Sequence, residues 1–387
     1  MAQGMQRILV LGSQARALIN FRGTLVRDLV EQGHDVTVAA PELLDAHAAT
    51  IRGFGAKPRS IDLARTGMNP VGDVAAFMRL RRLVREERID LVLSSTIKPN
   101  IWGAFAARAE GARSIAMVTG LGYAFTPLET GSVAARAKQR AAHLAASTLY
   151  RAATGLNERV VFQNPDDAAE FVASGCLADP SKIVLTDGSG VDVDLFAPAP
   201  LPDAPRVLMV SRLLGNKGVR EYAEAAAQVR ASNPNTRFEL VGATDEGPDG
   251  VSVENVARWS QGAVDYRGAT DDVRPAIAAA NVCVLPSYRE GTPRALLEGM
   301  AMGRAIVASD APGCRETVEE GRNGHLVPVR DAAALAVRLR RLIANAAERA
   351  RMGVESRAMA VDRYDVRRVN ERLLGNLGLA ANGALAA

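Results

Sequence analysis

The chain's 387 residues exceed what one hydrophobic core ordinarily organises, and a hydrophobic share of 48% with 34 glycines excludes disordered and fibrous classes in favour of a two-domain α/β protein. Three cysteines (Cys176, Cys283, Cys314) without C-x-x-C or metal-ligand spacing exclude a disulfide framework and fit a reducing, cytoplasmic setting. The net charge of +4 divides unevenly: residues 1–160 hold 21 Lys/Arg against 13 Asp/Glu and the remainder 26 against 30, which concentrates in the first half a positive charge suited to phosphate head groups, a pyrophosphate carrier or nucleic acid, or simply to solvated basic helix faces.

The chain enters a strand pattern at residues 7–12, without the basic, apolar and small-residue regions of a signal peptide. No apolar run approaches the roughly 20 residues needed to span a bilayer. Gly12-Ser13-Gln14 lacks the G-x-G-x-x-G spacing of nicotinamide-binding folds. A helix is expected over 24–32, opened by Gly23, where the missing side chain lets backbone approach a ligand such as an acceptor phosphate beside Arg22; a plain helix cap reads the same. Strands follow at 35–40, 90–94, 114–118 and 159–163, each a nearly continuous apolar run as in strands buried on both faces. The helix expected over 133–153 carries Arg136, Lys138, Arg140 and Arg151 among alanines and leucines, a pattern suited either to an anionic membrane surface or to packing on its own sheet.

Near Asp187 the alternation breaks, and Pro198, Pro200, Pro202 and Pro205 mark a linker over 188–205. Asp192-Val193-Asp194 has the letters of a metal motif but reads as turn chemistry at that place. Strands then restart at 206–211, 238–242, 264–268, 281–285, 305–309 and 325–327, and the end of the chain is helical and arginine-rich. The reading is an N-terminal domain over 1–187, a second doubly wound domain over 206–360, and a frayed tail over 378–387.

The most informative segment runs from Val284 to Glu298. A buried strand ends at Leu285, a polar loop follows, and Thr292 and Pro293 suit the N-cap and first position of a helix. Backbone N–H groups around Gly291–Arg294 then face an anion with the positive end of the helix dipole behind them. Glu290 and Glu298 flank this cradle, and carboxylates accept hydrogen bonds from hydroxyls. A ligand with central phosphates and a hydroxylated ring at each end, a sugar nucleotide, fits that order. In a second strand-to-helix loop, Arg212 and Lys217 supply two cations to neutralise a diphosphate leaving group.

Taken together, Glu290-x7-Glu298, Arg212 with Lys217-Gly218, Gly190-Val191-Asp192, and Pro312-Gly313 with Glu316 and Asn323-Gly324 resemble retaining glycosyltransferases of family 4, over almost the whole chain and most strongly from 162 to 328. Asn20-Phe21-Arg22-Gly23, Ser95-Thr96-Ile97-Lys98-Pro99-Asn100 and Thr119-Gly120-Leu121-Gly122 are similar to the branch that builds bacterial surface polysaccharide and lipid-linked oligosaccharide units.

The resemblance implies a GT-B fold, two doubly wound Rossmann-like domains with parallel sheets facing a deep inter-domain cleft, and a C-terminal helix over about 361–377 that packs back on the first domain. It implies retaining, metal-independent transfer of a sugar, often an N-acetylhexosamine, from a UDP-sugar to a glycan or polyprenyl-diphosphate-linked acceptor. The expected partners are those substrates and an anionic inner membrane touched peripherally, with no cofactor, metal or nucleic acid. By the resemblance Glu290 binds donor-sugar hydroxyls and Glu298 the ribose, Arg212 and Lys217 hold the diphosphate with backbone N–H groups at Thr292 and Pro293, and residues 266–270, including Gly268 and Thr270, line the base pocket. Many relatives carry a histidine after the strand that here ends at Val118, and its role falls to backbone groups or to Thr119 and Lys98; Arg22, Gly23 and Gly120 complete the expected acceptor side. Two other classes share the architecture, a sugar-nucleotide 2-epimerase and a catalytically silent binding subunit.

Overall fold

The computed structural model describes residues 4–64, 69–121, 133–247 and 249–380, the side chains of 133–139, 141 and 142 excepted. The chain divides into two compact units, residues 1–189 with 370–387, and residues 190–369. The Arg136 and Lys138 side chains and tail residues 381–387 lie outside the described residues.

The first unit holds a seven-stranded, wholly parallel sheet in the order β3 (Lys57–Ser60), β2 (Asp35–Ala40), β1 (Arg7–Leu11), β4 (Leu91–Ser95), β5 (Arg113–Val118), β6 (Arg159–Phe162), β7 (Ile183–Leu185). The central strands are the apolar runs seen in the sequence, because helices cover both of their faces. The two edges, β3 and β7, escape sequence reading: Lys57-Pro58-Arg59-Ser60 faces solvent, and β7 has only three residues. Helix α1 (Ala15–Glu31) begins well before the expected 24–32. Its buried positions 15, 18, 22, 25, 26 and 29 recur at helical spacing, and that stripe, rather than a cap, sets its length.

Helices α3 (Pro70–Glu86), α4 (Ile97–Ala109) and α5 (Val133–Leu156) pack side by side. Tyr150 and Ala153 of α5 are buried in a core with Ala104 of α4 and Phe162 of β6, so this end of α5 packs on its own sheet. From Asn370 the chain belongs to the first unit again: Leu373, Leu374, Leu377 and Leu379 join the core beneath α1, and the Asn370 amide donates to Asp28 at 2.6 Å. Leu379 is buried, so the ordered chain continues past 378, where fraying was expected.

The second unit holds six parallel strands in the order β10 (Val264–Tyr266), β9 (Arg237–Val241), β8 (Arg206–Val210), β11 (Val282–Leu285), β12 (Ala305–Ser309), β13 (Gly324–Val327). Most of the segment expected as a linker, 188–205, is packed on the second unit. Val191, Val193 and Phe196 enter this unit's core. The fully buried Arg304 guanidinium donates to the carbonyls of Ala199 and Pro200, and the Asn281 amide donates to Pro202 O. Asp192 Oδ1 accepts the N–H groups of Asp194 and Leu195 at 3.1 and 2.9 Å, the turn chemistry expected of this segment.

In both units the strand order reverses beside the first strand, between β1 and β4 and between β8 and β11. Open parallel sheets bind ligands at such switch points, beyond the carboxyl ends of the strands.

Candidate functional site

The loops that leave β8 and β11 meet at the second switch point. The first runs from Ser211 through a single 3-10 turn, Gly215–Lys217, into helix α7 (Val219–Arg230). The second runs from Pro286 to helix α10 (Arg294–Ala301). Backbone contacts fix them together: the Tyr288 N–H donates to Asn216 O at 2.9 Å, and the Ser287 hydroxyl donates to the same carbonyl at 3.1 Å. Gly218 has φ +72, and a Cβ there would stand 2.1 Å from Pro286 O, so only glycine allows this approach. A third loop closes on the second from the other side: the Glu290 N–H donates to Pro312 O at 2.9 Å, and a Cβ on Gly313 (φ +81) would lie 2.3 Å from Glu290 O.

That backbone arrangement brings Lys217 Nζ to Glu290 Oε1 at 2.5 Å, with both side chains mostly buried. Arg212 stands near the start of the same loop, its Nη1 2.7 Å from Asp245 Oδ2. Arg294 and Glu298 pair one turn apart on α10 at 2.9 Å. Burial pushes the Glu298 carboxyl up, and Arg294 pulls it back. Glu290, Lys217, Arg212, Glu298, Gly291, Thr292 and Arg294 therefore all lie on two loops and one helix start at a single switch point.

Two expectations need correction. Helix α10 begins at Arg294 with Pro293, not Thr292, at the N-cap and no side-chain cap, because Pro293 has ψ 105 and stays extended. Pro293 also has no N–H to offer a phosphate, so the backbone donors of this turn come from its neighbours. The segment read as a base pocket lies at the ends of β9 and β10: the Gly242 N–H donates to Gly268 O at 2.9 Å, and the Tyr266 hydroxyl to Gly242 O at 2.8 Å. Gly268 takes φ +74, and the Thr270 hydroxyl engages Asp272 backbone in a local turn.

In the first unit, Thr119 and Gly120 follow β5, and Lys98 opens α4 just beyond β4, so these three stand at the carboxyl ends of neighbouring strands. Lys98 Nζ is paired with Asp73 at 2.7 Å and is mostly buried. Arg22 and Gly23 do not stand at a helix start. Both lie inside α1, where Gly23 lets the Phe54 ring pack closely; a Cβ would stand 2.9 Å from Cζ. Arg22 is 3% exposed, and burial pushes its pKa down to about 10.

Thr96 carries a signal that sequence reading passed over. It takes φ +75 and ψ 164, a region costing a β-branched residue on the order of 1–3 kcal/mol, and its buried hydroxyl has no hydrogen-bond partner among the described residues. No local pattern in the sequence announces such strain. It sits at the first unit's own switch point, beside β1.

Among the described residues no group of three or more His, Cys, Asp or Glu could hold a metal ion, and no helix is long and apolar enough to cross a membrane.

Known proteins match the chain over most of its length. A family model described as "Glycosyl transferase 4-like domain" matches residues 21–187, and one described as "Glycosyl transferases group 1" matches 204–345. The chain is 27% identical to the Campylobacter jejuni N,N'-diacetylbacillosaminyl-diphospho-undecaprenol alpha-1,3-N-acetylgalactosaminyltransferase, over 95% of this chain and 97% of that one. It is 27% identical to an Escherichia coli UDP-Gal:alpha-D-GlcNAc-diphosphoundecaprenol alpha-1,3-galactosyltransferase, over 67% of this chain and 68% of that one. Among solved structures, Anabaena HepE in complex with UDP superposes with a TM-score of 0.75 at 20% identity, covering 96% of this chain and 99% of that one. Sucrose-phosphate synthase from Thermosynechococcus elongatus superposes with a TM-score of 0.80 at 20% identity, covering 96% and 98%.

Two doubly wound units of this topology place the protein in the GT-B class of α/β folds. Within that class, the two family models in succession and a relative matched from end to end show that the chain belongs to glycosyltransferase family 4.

Proposed function

We propose that the chain transfers an N-acetylhexosamine, with retention of anomeric configuration, from a UDP-sugar to a polyprenyl-diphosphate-linked sugar in the assembly of a bacterial surface glycan. The observation that carries this reading is the convergence of Lys217 and Glu290 at the β8/β11 switch point, with Arg212 on the same loop. Lys217 and Arg212 there would meet the diphosphate, Glu290 the donor-sugar hydroxyls and Glu298 the ribose. The names of the Campylobacter and Escherichia relatives, both with diphospho-undecaprenol acceptors, and the UDP held by HepE support the choice of substrates.

In the reaction an acceptor hydroxyl oxygen bonds to the anomeric carbon on the face the diphosphate leaves. The bond from that carbon to the phosphate oxygen breaks, and the hydroxyl proton passes to the departing phosphate. Two fixed cations stabilise the charge gathering on the leaving group as that bond lengthens. This electrostatic role asks for no metal ion, and chelator is expected to leave turnover unchanged. A strict Mn²⁺ or Mg²⁺ requirement would count against it.

Incubation with UDP-, GDP- and dTDP-sugars and lipid-diphosphate acceptors tests the whole reading. The expected product is acceptor lengthened by one sugar, with UDP-sugars giving the largest rise in melting temperature. Epimerised donor would identify a 2-epimerase, and binding without turnover a silent subunit.

A peripheral membrane site on the first unit completes the proposal. The outward row of α3 runs Val71, Val74 and Met78, exposed by 80, 58 and 52%, and then Arg82 and Arg85. An apolar half followed by a charged half, in which Arg82 pairs with Glu86 at 2.7 Å and Arg85 adds a second cation, suits a helix resting at an anionic bilayer surface, where each basic residue contributes about 1 kcal/mol. Leu144 and Arg140 are also exposed on α5. Flotation should show binding to anionic liposomes over neutral ones, weakened by Val74→Glu. Equal recovery with both lipids would remove the membrane site.

A further inference from the structure

We propose that Tyr288 is a positioning residue, a tether that brackets Lys217 and holds the β8 and β11 loops in register for a nucleoside diphosphate. The inference rests on the donor reading above and goes beyond it, since Tyr288 itself touches neither Lys217 nor Glu290 through a hydrogen bond in the structure.

Tyr288 stands two residues before Glu290 and is bonded on both sides of Lys217. Its N–H donates to Asn216 O at 2.9 Å, one residue before the lysine. Its phenol donates to Glu221 Oε1 at 2.7 Å, in the first turn of α7 and four residues after the lysine. Glu221 is 7% exposed, and its other oxygen has no hydrogen-bond partner among the described residues. A buried carboxylate is expensive unless its hydrogen bonds are made, so the phenol answers a need that few side chains could meet there.

A third element closes the arrangement. The Arg330 guanidinium carbon lies 4.5 Å from the centre of the Tyr288 ring, in the turn between β13 and helix α11 (Ala332–Ala344). Arg330 has φ +62, a backbone region that disfavours any side chain, so the turn holds a strained residue where its cation meets the ring. Burial and the Glu221 charge both push the Tyr288 phenol up, which keeps it a donor across the working pH range.

The ring therefore acts as a spacer of fixed length between α7, the β11 loop and the turn before α11. With Gly218 packed against Pro286 below it, the loop that carries Glu290 is held at two heights along the loop that carries Lys217. A lost tether would leave both charged groups present but free to drift, and small misplacements of positioning groups weaken binding steeply.

Calorimetric titration of UDP, GDP and dTDP into the full-length protein tests this. Tyr288→Phe keeps the ring and is expected to weaken the nucleotide bound best by about 10-fold, the scale of one hydrogen bond to a charged group. Glu221→Gln still offers the phenol an oxygen and should stay within about 3-fold of wild type. A Tyr288→Phe protein that melts lower yet binds as tightly as wild type would reduce Tyr288 to a packing residue, and Glu221→Gln as weak as Tyr288→Phe would overturn the tether. No binding of any of the three nucleotides by wild type would overturn the donor reading and the tether with it.

Discussion

Glu290→Ala and Lys217→Ala are each expected to lower turnover by at least ~100-fold, the scale of one lost electrostatic contact at a transition state. In the proposed site Lys217 would matter most when negative charge gathers on the departing diphosphate, so its loss should appear in the turnover number more than in donor affinity. Glu290 sits 2.5 Å from that lysine and would contact the sugar at the face where the bond breaks. Because the two side chains touch, the double variant should be little worse than either single one, whereas independent sites would multiply. Steady-state kinetics of the three variants with a saturating donor checks this. Near-normal turnover in both single variants would remove the site from the β8/β11 loops.

The second large effect is purely steric. Gly218→Ala should weaken UDP binding at least ~10-fold and lower stability, because the new methyl would stand 2.1 Å from Pro286 O. That neighbour is backbone and cannot rotate away, so the two loops must separate. The left-handed backbone at φ +72 adds roughly 1–2 kcal/mol of its own. Gly262→Ala isolates that backbone cost: Gly262 has φ +76, but nothing lies within 4 Å of an added Cβ. It should lose stability and keep wild-type UDP affinity. If Gly218→Ala behaves like Gly262→Ala in both melting and titration, close packing of the loops is not what shapes the site.

Much of this was legible in the sequence, for a physical reason. Strands buried on both faces must be apolar throughout, so β2 and β12 stand out with their observed limits. The two loops of the candidate site stood out because strand ends, glycines and charged residues lie within a dozen positions of one another. What was hidden depends on partners far along the chain. Lys217 and Glu290 are 73 residues apart, and only the strand order makes β8 and β11 neighbours. The prolines near 200 looked like a linker because their partners come far later: the arginine that bonds Pro200 O lies 104 residues on, and the asparagine that bonds Pro202 O lies 79 residues on. Gly23 looked like a helix start because nothing local reveals that Phe54 packs against it. Pro293 is a different case: that a proline offers no N–H to a phosphate is readable from the residue alone.

The pairing of Lys217 with Glu290, and of Arg212 with Asp245, has a consequence for ligand exchange. In the donor site proposed above, a diphosphate would not approach two bare cations but would compete with two carboxylates that already share them. Donor binding would then be a change of partners, its free energy a difference between two sets of ion contacts and not the full attraction of one. Release would profit in the same measure, since Glu290 and Asp245 would reclaim their cations as the nucleotide departs. An arrangement of this kind trades tightness for turnover: the product that carries the most negative charge is the one that most needs help to leave.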